Sequence, residues 1–148
     1  MPNRPYIAYG SNLNKLQLKS RCPGATPLGT SVLQDYGLVF RRGFLTVEPR
    51  KGRFVPVAVW LTTPEDENSL DIYEGCPDFY VKTEFALPVL LPDGSQEEHL
   101  CYAYIMREQF PVKAPSESYI NICRKGYLDF GLDVRALEKA RDEALALT

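Results

Sequence analysis

Tyr6-Ile7-Ala8-Tyr9-Gly10-Ser11-Asn12-Leu13 begins as a strand and ends as a helix. Its first half is short and apolar, as a buried strand is, and Gly10 stops the run. Ser11-Asn12 then leads into Leu13, Leu16 and Leu18, a weak helical pattern. A strand, a tight turn and a helix start gather backbone N–H groups around one small volume, at the positive end of the helix dipole. Such donors suit a carboxylate or a developing oxyanion. Gly10 is expected there because a residue without Cβ reaches positive φ and lets a ligand approach the backbone. A Gly-Ser-Asn after a strand also serves as a plain turn, so this stretch alone leaves both readings open.

The 148 residues, 45% hydrophobic with a net charge of −2, are expected to form one domain over 1–148. That balance offers no electrostatic case for nucleic acid or for an anionic membrane surface. No apolar run is long enough to span a bilayer. Met1-Pro2-Asn3-Arg4-Pro5 is polar with no apolar core behind it, so no signal peptide is read. Cys22, Cys76, Cys101 and Cys123 show no Cys-x-x-Cys spacing, and His99 is the single histidine, so no metal site is expected. A reduced cytoplasmic protein with free thiols is the resulting expectation. Arg41-Arg42 and Arg50-Lys51-Gly52-Arg53 read as solvated loops, with one of the arginines able to meet a substrate carboxylate.

Along the chain, Asn3 to Pro5 leads into a strand at Tyr6–Ala8, and a helix of at most two turns follows over 14–20, closed by Pro23-Gly24. Thr26 to Phe40 is β-prone but interrupted at Gly29 and Gly37, which predicts bends or bulges. Phe44 to Val47 reads as a short strand with Pro49-Arg50-Lys51-Gly52 as its turn. Val55 to Leu61 is the clearest buried strand. Thr63-Pro64-Glu65-Asp66 is a strong helix start, with Leu70, Tyr73 and Glu74 on one face and Gly75 as the stop. Tyr80–Leu91 and Leu100–Met106 form a hairpin around Pro92-Asp93-Gly94-Ser95. Ser116 starts a helix carrying Tyr119, Ile122 and Cys123, and Asp133 caps a last one with Val134, Leu137, Ala140, Ala144 and Leu145 as its stripe. Strands first and helices last argue for an α+β fold, a curved or closed sheet with helices at its ends.

Glu74 is the most promising reactive group. A glutamate in the last turn of a helix faces the negative end of the dipole, and desolvation near Tyr73 would push the same way, toward a better base. A solvated helix residue is the plain alternative. Cys76 follows its helix rather than starting it, so no dipole stabilises a thiolate there. No Gly-x-Ser-x-Gly elbow accompanies His99. Tyr9, Tyr73, Tyr80 and Tyr119 stand near helix ends, where a phenol with one wet end positions substrate.

Tyr9-Gly10-Ser11-Asn12-Leu13, Leu33-Gln34-Asp35-Tyr36, Leu70-Asp71-x-x-Glu74-Gly75 with Tyr80, and Ala114-Pro115-Ser116 with Tyr119, Ile122-Cys123 and Gly126 together resemble the γ-glutamylcyclotransferase family (AIG2-like proteins). The match is colinear over most of the chain. It implies a small mixed β-barrel flanked by helices. It also implies an intramolecular aminolysis, in which the α-amine of a small γ-glutamyl compound attacks its own γ-carbonyl, closes 5-oxoproline and expels an amine or amino acid. The resemblance makes Glu74 the general acid/base and carries Tyr6, Tyr9, Gly10, Ser11, Asn12, Leu13, Tyr80 and Tyr119 into the substrate site, with no cofactor. It leaves open a homodimer, a γ-glutamylamine-specific enzyme and a non-catalytic binding module of the same fold. Arg41 to Val55 is shorter than in the animal enzymes, which bears on the leaving-group pocket.

Overall fold

A computed structural model of the chain describes residues 2–147. Strands β1 (Arg4–Ala8), β2 (Thr26–Arg41), β3 (Phe44–Thr62), β4 (Tyr80–Leu90) and β5 (Gln96–Met106) close into a barrel in the order β1-β3-β2-β4-β5. Every pairing is antiparallel except that of β1 with β5, where Tyr6 meets Tyr102 in parallel. Helices α1 (Lys15–Arg21), α2 (Pro64–Tyr73), α3 (Glu117–Asp129) and α4 (Arg135–Ala146) pack outside it, and a short 3-10 turn, Ser11–Leu13, joins β1 to α1.

The Val-rich run does what its composition dictates: Val55, Val57, Ala58, Val59 and Trp60 are buried in β3, between β1 and β2. Inside the barrel the rings of Tyr6, Tyr102 and Tyr104 lie 5.3–5.9 Å apart, centroid to centroid. Thr62 Oγ1 and the Tyr102 hydroxyl share a hydrogen bond of 2.6 Å, so these polar groups enter the core satisfied.

Several elements differ from the sequence expectation. β3 runs unbroken through Pro49-Arg50-Lys51-Gly52. Arg50 to Arg53 bulge opposite Asp35, because the register steps from Gln34↔Phe54 to Tyr36↔Pro49. Asp35 takes the left-handed conformation (φ 61°) and its Oδ1 accepts the Gly52 N–H at 2.9 Å. The second irregularity of β2 is thus at Asp35 rather than Gly37, while the one beside Gly29 is present. There a Cβ would lie 2.1 Å from the Leu90 carbonyl oxygen, so glycine lets β2 and β4 meet. β5 starts at Gln96, ahead of Leu100, since cross-strand pairing carries its polar end. Asp133 lies one residue outside the α4 cap, and Leu145 is 53% exposed. On α3 the fully buried residues are Ile120, Cys123, Gly126 and Tyr127, with Tyr119 partly buried and Ile122 half-exposed.

Two contacts place the functional loops. Helix α2 begins with a reciprocal capping box between Thr63 and Asp66. It is pinned to the barrel by the Tyr104 hydroxyl on Asp71 at 2.6 Å and by Lys82 on Glu67 and Asp71 at 2.6 and 2.9 Å. Helix α3 clamps the 3-10 turn: a Cβ on Gly126 would stand 2.5 Å from the Asn14 nitrogen, and Asn14 Nδ2 donates to the Ile122 carbonyl. The close approach that only glycine permits lets α3 seat directly on the loop after β1.

Candidate active site

The loop after β1 and the C-terminal end of α2 face each other across a cavity of about 380 Å³. Tyr6, Tyr9, Gly10, Ser11 and Asn12 form one wall and Tyr73, Glu74 and Gly75 the other; Tyr80 and Tyr119 also line it. Leu13 does not. It is fully buried beneath Gly126, so its part is to anchor the turn rather than to touch a ligand. Gly10 has φ −133°, outside the left-handed region, so positive φ is not its reason. A Cβ there would stand 3.3 Å from Leu45 and 3.4 Å from the Tyr119 hydroxyl, and space is what glycine provides. The Leu13 and Asn14 amides bond back to Gly10 and Ser11. The Ser11 and Asn12 amides thus open the turn, where a helical start has donors without an internal acceptor.

Glu74 caps α2, its N–H bonded to the Leu70 carbonyl at 2.8 Å, and Gly75 (φ +63°) turns the chain away. Burial in the cavity pushes its carboxyl up from 4.5 to about 7, against the attraction of Arg21. Asn12 faces it: Nδ2 donates to the Tyr6 hydroxyl at 2.8 Å and lies 3.5 Å from Glu74 Oε1, the outer limit of a hydrogen bond. Asn12 Oδ1 accepts from Arg21 at 2.5 Å, while a second Arg21 nitrogen donates to the Tyr73 hydroxyl at 2.6 Å. The guanidinium stacks 3.6 Å from the Tyr73 ring centroid. This chain fixes the amide of Asn12 with its oxygen to the arginine and its nitrogen to the phenol and the carboxylate.

The other phenols are tied to backbone. Tyr9 donates to the Tyr104 carbonyl at 2.5 Å and Tyr80 to the Leu45 carbonyl at 3.0 Å, while the Tyr119 oxygen accepts the Leu45 N–H at 3.2 Å. Burial raises all three, so they stay protonated. Burial also pushes the thiols of Cys22 and Cys101 up to about 11 and that of Cys123 to about 12, the opposite of an activated nucleophile. His99 bonds Glu97 at 3.0 Å, away from the cavity lining.

Sequence reasoning did not find Arg21, Phe44, Leu45, Ile72, Phe79 or Tyr104, and it left Arg42 as one of several arginines able to meet a substrate carboxylate. Arg21 had only its place in the last turn of α1 to mark it, and the others come together from β3, α2, the segment before β4, and β5, far apart in sequence.

The sequence and the fold have known counterparts. The family model for "Gamma-glutamyl cyclotransferase, AIG2-like" matches residues 6–121, a span that holds all the cavity residues named above. The chain belongs to that family. The human protein named γ-glutamylcyclotransferase is 30% identical over 149 residues, covering 92% of this chain and 76% of its own length. Its bovine counterpart is 29% identical, covering 90% and 75%. A solved structure titled "Gamma-glutamyl cyclotransferase" superposes with a TM-score of 0.81 at 28% identity, over 94% of this chain and 86% of its own. Family membership supports an enzyme of this kind acting on a small molecule. Among the described residues, no helix is long and apolar enough to cross a membrane.

Proposed function

We propose that the protein converts a small γ-glutamyl compound to 5-oxoproline and a free amine, with Glu74 as general acid/base. The observation that carries this reading is the carboxyl of Glu74, set in the cavity wall opposite the β1 loop and pushed up to about 7. A base of that strength takes a proton near neutral pH and can still return it.

The substrate's α-ammonium loses a proton to Glu74. The freed amine then attacks the γ-carbonyl carbon of the same molecule, forming the new C–N bond and moving an electron pair onto the carbonyl oxygen. As this tetrahedral species collapses, the bond to the departing nitrogen breaks and that nitrogen takes back the proton from Glu74. The ring nitrogen, which still carries two hydrogens, then loses its surplus proton to Glu74, which passes it to the released amine and leaves the lactam N–H of 5-oxoproline. The nucleophile belongs to the substrate, so the protein's contribution is to fold the glutamyl chain into a near-attack geometry. The Ser11 and Asn12 amides supply donors for an anionic oxygen of the substrate, and the buried phenols of Tyr9 and Tyr80 shape the walls.

The test is release of 5-oxoproline from a panel of γ-glutamyl dipeptides by the unmodified protein and by Glu74→Gln. The expected outcome is turnover by the first alone, with substrate still bound by the second. Turnover by the variant at an undiminished rate would remove Glu74 from its role, and no release by the unmodified protein would overturn the reaction.

A further inference from the structure

Resting on that proposed reaction, we propose that Arg42 defines a subsite for the departing amine and selects one that carries a carboxylate together with an apolar side chain. Arg42 and Gly43 form the tip of the β2–β3 hairpin, both with positive φ (57° and 82°). Such two-residue turns favour Asn-Gly or Asp-Gly, and a long cationic side chain in the left-handed conformation is uncommon. Its side chain lines the cavity. The guanidinium lies 4.1 Å from the Phe79 ring centroid, 5.0 Å from that of Phe110 and 6.0 Å from that of Phe44. The Arg42 N–H, bonded to the Pro111 carbonyl at 3.0 Å, fixes the hairpin against the segment that carries Phe110.

The neighbouring arginine shows what distinguishes this one. Arg41 is committed to Glu48, at 2.5 and 3.2 Å, and to the Phe110 carbonyl at 2.7 Å. The Arg42 guanidinium, among the described residues, meets rings and no hydrogen-bond acceptor or carboxylate. A cation held on aromatic faces keeps its forked donors available for a planar carboxylate. Glu74 and Arg42 are thus the opposite charges of one cavity, and Tyr80 stands within the influence of both. With the glutamyl ammonium at Glu74, the departing end of the molecule extends toward Arg42. Phe44 and Phe79, each 42% exposed, flank it with apolar surface that an aromatic or branched side chain would cover.

Two compounds that differ only in the carboxylate, γ-glutamyl-phenylalanine and γ-glutamyl-phenethylamine, test this by titration calorimetry on Glu74→Gln protein, where turnover does not intervene. The expected result is tighter binding of the first by on the order of 10- to 100-fold, the range for one charge-assisted pair. Adding Arg42→Asn, which suits the left-handed backbone, should erase that preference, and Arg42→Lys should keep part of it. Equal binding of the two compounds, no binding of either, or a preference that survives Arg42→Asn would overturn the subsite. 5-Oxoproline release by the unmodified protein is read in parallel. An Arg42-dependent preference without release retains the subsite and refutes the reaction; release without a preference does the reverse.

Discussion

Replacing Glu74 by Gln should make the protein more stable as well as inactive, and the gain should depend on pH. The folded-state value of about 7 lies above the ordinary 4.5, so between these pH values the native carboxyl holds a proton that the unfolded chain has already released. Stability therefore falls as pH rises through this window, and the whole penalty is present above about pH 7. The gap between 4.5 and about 7, at about 1.36 kcal/mol per pH unit, amounts to about 3 kcal/mol. Because the carboxyl partly opens to the cavity, that figure is an upper bound. Glutamine removes the charge, keeps the shape and escapes the penalty. Thermal unfolding followed by circular dichroism from pH 4 to 9 should show the two proteins converging near pH 4. At pH 8 the variant should melt higher by on the order of 6–12 °C. A constant difference across this range, or a variant that melts lower at pH 8, would refute the burial argument for Glu74.

The same carboxyl should set the acidic limb of kcat/KM, which should fall about tenfold per pH unit below about pH 7. Arg21→Met removes the charge that holds Glu74 down, so this limb should move to higher pH while the Asn12 contact is also lost; an unmoved limb would separate Arg21 from the acid/base. Gly126→Ala drives a methyl into the Asn14 backbone and should cost about 3 kcal/mol in urea unfolding, the upper end for overpacking. Gly10→Val crowds Leu45 and the Tyr119 hydroxyl and should weaken substrate binding in calorimetry, whereas unchanged affinity would mean that the loop does not shape the pocket.

How far the residues spoke for themselves varied with the range of the interaction. Thr63-Pro64 and the Val55–Leu61 run are decided within a few positions, and both stand in the structure as read. The length of β2 was legible over 26–40, with its second irregularity placed at Gly37 rather than Asp35. By contrast, β3 did not show as one strand, because Pro49-Arg50-Lys51-Gly52 resembles a turn until the partner strand supplies the hydrogen bonds. Glu74 could be singled out from its helix end and from the family pattern. Its surroundings were legible only in part: the family pattern supplied the β1 loop, Tyr80 and Tyr119. Arg21, however, reaches Asn12 and Tyr73 from a helix with no distinguishing motif, and only the fold singles Arg42 out from the other arginines, at the hairpin tip beside the cavity. The role assigned to Gly10 shows the same limit, since local reasoning chose backbone freedom where a contact with Leu45 and Tyr119 was decisive.

The capping box at Thr63 and Asp66 has a bearing on which lengths of chain are tolerated. A helix advances about 100° per residue, so inserting or deleting one position inside α2 would swing the Glu74 side chain out of the cavity even if every other residue kept its identity. The bulge opposite Asp35 has no such phase to preserve, and added residues there would only enlarge a protrusion. Spacer changes should therefore accumulate on the β2–β3 side of the barrel, while the interval from Thr63 to Glu74 behaves as a ruler.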